Sequence, residues 1–169
     1  PVYVCTGGGP GFMEAANRGA ADVPGGRSIG MGITLPFETG LNPYVSPELA
    51  FEYHYFFTRK FWMAFHMQAL VVAPGGFGTC DELFELLTLK QTGKVQRSLP
   101  VVLIGKAYWK SVINWDSLAT YGVINPHDVD ELLFTDDVGE AFEFIVKALE
   151  GGIAAWHNDA LSKADAHGD

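Results

Sequence analysis

Two apolar runs, Val2-Tyr3-Val4-Cys5 and Ala69–Ala73, each pass directly into a run of glycines and then into a stretch with helical spacing. Short buried strands that feed helices in this way are the units of a parallel sheet, because parallel neighbours need a crossover and cannot be joined by a tight hairpin. The rest of the chain keeps the alternation. Strands are expected at Val2–Thr6, Ser28–Leu35 (closed by Pro36), Glu52–Phe57, Ala69–Ala73, Leu99–Ile104 and Leu132–Phe134. Helices are expected at Gly11–Asp22, about Arg59–Gln68, Thr79–Gln91, Tyr108–Tyr121 and Val138–Leu149. In the third of these, Leu83, Leu86, Leu87 and Lys90 recur at helical spacing. Residues 36–50, with Asn42-Pro43-Tyr44 and Ser46-Pro47, read as irregular. The pattern gives an α/β fold over residues 1–150, followed by a mobile C-terminal tail at 151–169 that opens on Gly151-Gly152. Because Pro1 leads straight into a strand, the sheet is expected to lack its first β-α unit in this chain.

A chain of 169 residues, 48% hydrophobic and 18% charged, has the size and composition of one ordinary globular domain. Its net charge of −9 argues against a broad basic surface for nucleic acid or an anionic membrane. The apolar runs are far shorter than a membrane span. Two cysteines, Cys5 and Cys80, make no disulfide framework and no zinc motif, so a reducing cytoplasm is the expected compartment. Five histidines show no ligand spacing; His54 and His66 are expected in the core or at an interface.

An anionic small ligand remains open, because backbone N–H groups at helix starts bind phosphate without lysines. The two glycine runs, Gly7-Gly8-Gly9-Pro10-Gly11 and Pro74-Gly75-Gly76-Phe77-Gly78-Thr79, stand where strand becomes helix. Glycine there lets a ligand approach the backbone closely. Taken singly each is a tight turn, but two at the same end of a parallel sheet point to a phosphate or nucleotide cleft. Neither is a dinucleotide fingerprint or a Walker loop. The first lacks the final glycine, and the second strand ends in Thr34-Leu35-Pro36 without an acid for a ribose hydroxyl.

Glu82 admits two readings. Thr79-Cys80-Asp81-Glu82 has capping-box spacing, and on spacing alone that explanation wins. A carboxylate in the first turn beside a phosphate-binding loop is also placed to face a sugar ring. Arg59-Lys60 opens a helix that continues Phe61-Trp62-Met63-Ala64-Phe65, apolar on every face, and such a helix is expected to be buried all round. Charges tethered to it are expected to serve a site or an interface. Cys80 lies at a helix start that would favour a thiolate. It has no recognisable histidine partner and is read as a packing residue.

Gly7-Gly8-Gly9-Pro10-Gly11-Phe12-Met13-Glu14-Ala15, Arg59-Lys60-Phe61-Trp62-Met63 and Pro74-Gly75-Gly76-Phe77-Gly78-Thr79-Cys80-Asp81-Glu82 resemble the three signatures of the LOG (Lonely Guy) phosphoribohydrolases, long catalogued as possible lysine decarboxylases. The resemblance runs from Pro1 to about Leu149, with Cys80 and Asp81 at variable motif positions. It implies a Rossmann-like three-layer fold and a homodimer with its active site near the interface. It also implies hydrolysis of nucleoside 5′-monophosphates, AMP or cytokinin riboside monophosphates, to free base and ribose 5-phosphate. Carried over by motif position, Arg59 and Glu82 are the catalytic pair. Gly8, Gly9, Gly11, Glu14, Lys60, Met63, Gly75, Gly76, Gly78 and Thr79 would bind substrate. Such a mechanism requires no metal and no organic cofactor. Two other readings fit the same fold. One is a nucleotide- or molybdenum-cofactor-binding module without turnover, against which the retention of both Arg59 and Glu82 speaks. The other is the decarboxylase itself, which would need pyridoxal phosphate on a lysine and has no recognisable site for it.

Overall fold

The computed structural model describes residues 2–34, 40–95 and 98–165, with residues 152–165 as backbone only. Leu35 and Pro36, expected to close the second strand, and the last four residues of the expected tail lie outside the described residues. The chain divides into two compact units, Pro1–Met67 and Gln68–Asp169.

The first unit runs β1 (Val4–Thr6), α1 (Phe12–Ala21), β2 (Ser28–Ile33), a 3-10 turn (Pro47–Leu49), β3 (Ala50–Tyr53) and α2 (Phe56–Phe65). Its strands pair in the order β1-β2-β3, all parallel, with Val4 opposite Ser28 and Gly30 opposite Ala50. Helix α1 packs on β1 and β2, and α2 on β2 and β3. The third strand therefore starts two residues before its expected position and ends at Tyr53, and α2 begins at Phe56 rather than Arg59. The expected strand residues Tyr55–Phe57 are thus the cap and first turn of a helix. Aromatic residues favour strands only where a neighbouring strand takes them up, and pairing with β2 is complete at Tyr53.

The second unit runs β4 (Leu70–Val72), α3 (Phe77–Gln91), β5 (Val101–Ile104), α4 (Lys106–Val112), α5 (Trp115–Thr120), α6 (Pro126–Asp130), β6 (Leu132–Thr135) and α7 (Val138–Asp165). Its sheet, β4-β5-β6, is again all parallel. The central strand β5 is a continuous apolar run, as a strand covered on both faces must be, and Val101, Val102 and Leu103 are fully buried. Leu83 and Leu86 of α3 and Trp109 of α4 complete that core. The single helix expected over Tyr108–Tyr121 is two helices. Ile113 is extended, and the Asn114 side chain accepts a bond from Ser117 N at 3.0 Å, capping α5 as a new start. The last helix continues past Leu149 through Gly151-Gly152 to Asp165, into the residues expected as a tail. A glycine inside a helix costs only about 1 kcal/mol relative to alanine, which good helix formers on either side offset.

Each unit is α/β, with a parallel sheet flanked by helices in the Rossmann-like manner. Their interiors differ. The second unit buries apolar side chains, whereas in the first the side chains of Asn17, Ser28, Thr6 and Asn42 are buried beside Ile33 and Val45. Among the described residues no helix is long and apolar enough to cross a membrane.

Candidate active site

In the first unit the candidate site is the turn from β1 to α1 together with α2. Gly11 caps α1 with φ 72°, and no side chain caps that end. The first helical bond runs from Ala15 N to Gly11 O at 2.9 Å, leaving the preceding N–H groups without helical partners. Arg59, in the first turn of α2, reaches this turn: a Cβ on Gly7 would stand 3.2 Å from Arg59 Nη1 and 3.1 Å from Met13 Sδ. Its guanidinium carbon also lies 5.5 Å from the centre of the Phe56 ring, a cation–π distance. A half-buried guanidinium thus sits against a glycine turn at a helix start, an arrangement suited to an anion. Glu14 in the first turn of α1, and Lys60 and Met63 on α2, are half-buried. Gly8 is buried, Gly9 half-buried and Gly11 exposed.

Gly8 has to be glycine on two counts. Its φ is +74°, and a Cβ there would stand 2.2 Å from Leu41 Cδ2. Behind the turn lie Thr6, Asn17 and Asn42, hydrogen-bonded to one another and to the turn's backbone. None of the three was singled out from the sequence. The only signal that could have found Asn42 was its place in a Pro/Asn-rich loop, where asparagine reads as turn chemistry.

In the second unit the turn after β4 carries Gly75, Gly76, Gly78 and Thr79. Helix α3 starts at Phe77 with Gly76 as its cap, and its first bond joins Cys80 N to Gly76 O at 3.0 Å. The capping box expected from Thr79 to Glu82 is therefore absent. Thr79 is the third helical residue, and its hydroxyl oxygen would stand 2.2 Å from a Cβ on Gly75. This moves Glu82 out of a capping position and into the second turn of α3, where it is half-buried. Tyr108 of α4, also missed in the sequence, donates its hydroxyl to Gly75 O at 2.6 Å and holds this turn from outside. Gly76 and Gly78 are exposed.

Within the single chain, several of these residues are less buried than expected. The helix carrying Arg59 is not buried all round, since Phe56, Phe57, Phe61, Trp62 and Phe65 are each about half or more exposed in the single chain. His54 and His66 are exposed in the single chain, which excludes the core of their two expected places, and each is edge-on to a neighbouring aromatic ring. Cys5 is exposed and Cys80 half-buried. Among the described residues no group of three or more His, Cys, Asp or Glu could hold a metal ion.

A family model described as "Possible lysine decarboxylase" matches residues 13–145 of this chain. Two curated proteins of Arabidopsis thaliana, the cytokinin riboside 5′-monophosphate phosphoribohydrolases LOG1 and LOG3, are each 37% identical to it over 70 residues. That stretch is 40% of this chain and spans 32% of the length of each relative. It therefore compares only a part of either protein.

Proposed function

This chain belongs to the family described as "Possible lysine decarboxylase", and from that membership we propose that it hydrolyses the N-glycosidic bond of nucleoside 5′-monophosphates to free base and ribose 5-phosphate. The observation that carries the reading is Arg59 Nη1 against Gly7, which joins a fixed positive charge to a glycine turn at a helix start. The names of the two relatives, cytokinin riboside 5′-monophosphate phosphoribohydrolases, support a substrate of the nucleoside 5′-monophosphate class.

In this reaction water adds to the anomeric carbon, the carbon–nitrogen bond breaks, and a proton passes to the leaving base. The backbone N–H groups that open α1, with Arg59, take the 5′-phosphate. By motif position Glu82 is assigned to orient or deprotonate the water and to offset the positive charge that builds on the ribose, as a carboxylate does in glycoside hydrolysis. Lys60, Met63 and Glu14, with the Gly75–Thr79 turn, are assigned to substrate contact by motif position. A decarboxylase acting through pyridoxal phosphate would need an accessible lysine amine. Buried Lys90 does not supply one. It lies at the far end of α3 from the glycine turn and spends its ammonium on Leu99 O and Glu131.

The test is to incubate the full chain with a panel of purine and cytokinin riboside monophosphates and follow free base and ribose 5-phosphate by chromatography. Equimolar release of both is expected. Tight binding of monophosphate with no release of base would overturn the hydrolase and leave a nucleotide-binding module.

A further inference from the structure

The glycine turn that the proposed function assigns to phosphate is held from behind by three side chains with no part in that chemistry. Thr6 Oγ1 accepts a bond from Gly8 N at 2.9 Å and donates to Asn17 Oδ1 at 2.7 Å. Asn42, far along the chain in the loop after β2, places its amide nitrogen 3.1 Å from Gly8 O, 3.1 Å from Gly9 O and 2.9 Å from Asn17 Oδ1. Its two amide hydrogens are thus shared among three acceptors. Asn42 N donates to Gly8 O as well, at 2.7 Å, and its Oδ1 accepts from Tyr44 N at 3.2 Å. All three side chains are buried, Asn17 completely. Asn17 Nδ2 has no partner among the described residues, so this side chain is kept inside for its oxygen, which accepts from both Thr6 and Asn42.

The peptide group turns this clamp into a statement about the outer face of the turn. In a planar trans peptide the C=O and the following N–H point in opposite directions. With the Gly8 carbonyl drawn inward by Asn42, the Gly9 N–H must face away from the clamp. The Gly9 carbonyl is also drawn inward, and at no cost in donors, because the next residue is Pro10 and carries no N–H. Glycines at these positions have the widest conformational choice in the chain, so without a fixed partner the Gly8–Gly9 peptide could flip and present its carbonyl instead. A carbonyl on that face repels an anion, whereas an N–H attracts one.

We propose that Asn42, acting with Asn17 and Thr6, is a positioning residue for the 5′-phosphate: it locks the Gly8–Gly9 peptide so that the Gly9 N–H joins the N–H groups opening α1 on the ligand side. The inference rests on the reading of this turn as the phosphate subsite. It is tested by titrating ribose 5-phosphate into the full chain in a calorimeter, which separates binding from turnover.

Asn42→Ala and the near-isosteric Thr6→Val should each weaken ribose 5-phosphate on the order of tenfold or more, the scale expected when a hydrogen bond to a charged group is lost. Thr6→Ser, which keeps the hydroxyl, should bind as the wild type does. Ser28→Ala is the control for general loosening, because Ser28 Oγ holds the same loop further on, at Tyr44 O, without touching the turn. It too should bind normally. In turnover, KM for the monophosphate should rise with the dissociation constant while kcat changes much less. Should Asn42→Ala fail to fold, the Thr6→Val and Thr6→Ser pair decides alone. Wild-type affinity in Asn42→Ala and Thr6→Val overturns the clamp, as does an equal loss in Ser28→Ala. Failure of the wild type itself to bind ribose 5-phosphate overturns the phosphate reading of the turn, and the clamp with it.

Discussion

At Gly8 a left-handed φ and a close side-chain contact coincide, and Gly8→Ala puts a magnitude on the pair. A left-handed φ costs an L-residue roughly 1–2 kcal/mol. The new Cβ would also stand 2.2 Å from Leu41 Cδ2, well inside contact distance. A leucine tip on an open surface would swing aside, but Leu41 has little room. The same side chain stands 2.8 Å from a Cβ built on Gly32 and 3.2 Å from one on Gly30, so it lies along a face of β2 that two glycines flatten. Overpacking of this kind costs about 1–3 kcal/mol, for a total of about 2–5 kcal/mol in urea unfolding. Leu41→Ala removes the clash and leaves the backbone strain. Since Leu41 is half-buried, the single change should cost near the lower end of leucine truncations, about 2 kcal/mol. The double variant should then be more stable than the sum of the singles by about 1–3 kcal/mol. Additivity within about 0.5 kcal/mol would refute the packing argument, and Gly8→Ala at wild-type stability would refute the strain argument too.

Glu82→Gln should keep the fold, because Gly76 and not Glu82 caps the start of α3 and glutamine has a helix propensity similar to that of glutamate; turnover should fall on the order of a hundredfold, and near-normal turnover would return Glu82 to a structural role. Arg59→Ala should weaken monophosphate binding with little change in melting temperature, and Arg59→Lys should restore little of it if two guanidinium nitrogens are engaged; stability lost in step with activity would mark Arg59 as a structural residue instead. Burial lowers the Lys90 ammonium below its ordinary 10.5, with Glu131 opposing the shift. Between the lowered value and 10.5 the unfolded chain binds more protons, so stability should rise with pH across that window, and Lys90→Met should flatten the rise in unfolding curves taken at several pH values. The exposed face of α2, with Phe57, Phe61 and Phe65, is expected to pack against a second copy of the chain, since leaving it in water costs roughly 25 cal/mol per Å²; a monomer by light scattering that still cleaves monophosphates would sink this.

Much of the scaffold was legible because it is written in strong local signals. Val101–Ile104 is apolar without a break, short and rich in β-branched residues, as a strand covered on both faces is. The glycine runs mark both strand-to-helix turns. The boundaries that shifted are those set by partners in space. The end of β3 depends on pairing with β2, and the start of α3 depends on Gly76 taking the cap a turn before Thr79. The Thr-x-x-Glu spacing carried the capping signal without the geometry. That error matters for chemistry, because it had given Glu82 a structural task that the fold does not ask of it.

The support behind the first turn was illegible for a different reason. Periodicity finds interiors by looking for apolar residues, and the interior beside this turn is built from Thr6, Asn17 and Asn42. Asparagine in a helix or a Pro-rich loop reads as a weak helix former or a turn residue, never as core. Asn17 and Asn42 meet across 25 residues of chain, which no local window spans. Yet a polar interior suits a turn made of glycines. Apolar packing is non-directional and would tolerate either orientation of the Gly8–Gly9 peptide, whereas a carboxamide facing two carbonyls accepts only one. The residues hardest to see in the sequence are therefore those that give the most flexible stretch of backbone a single conformation.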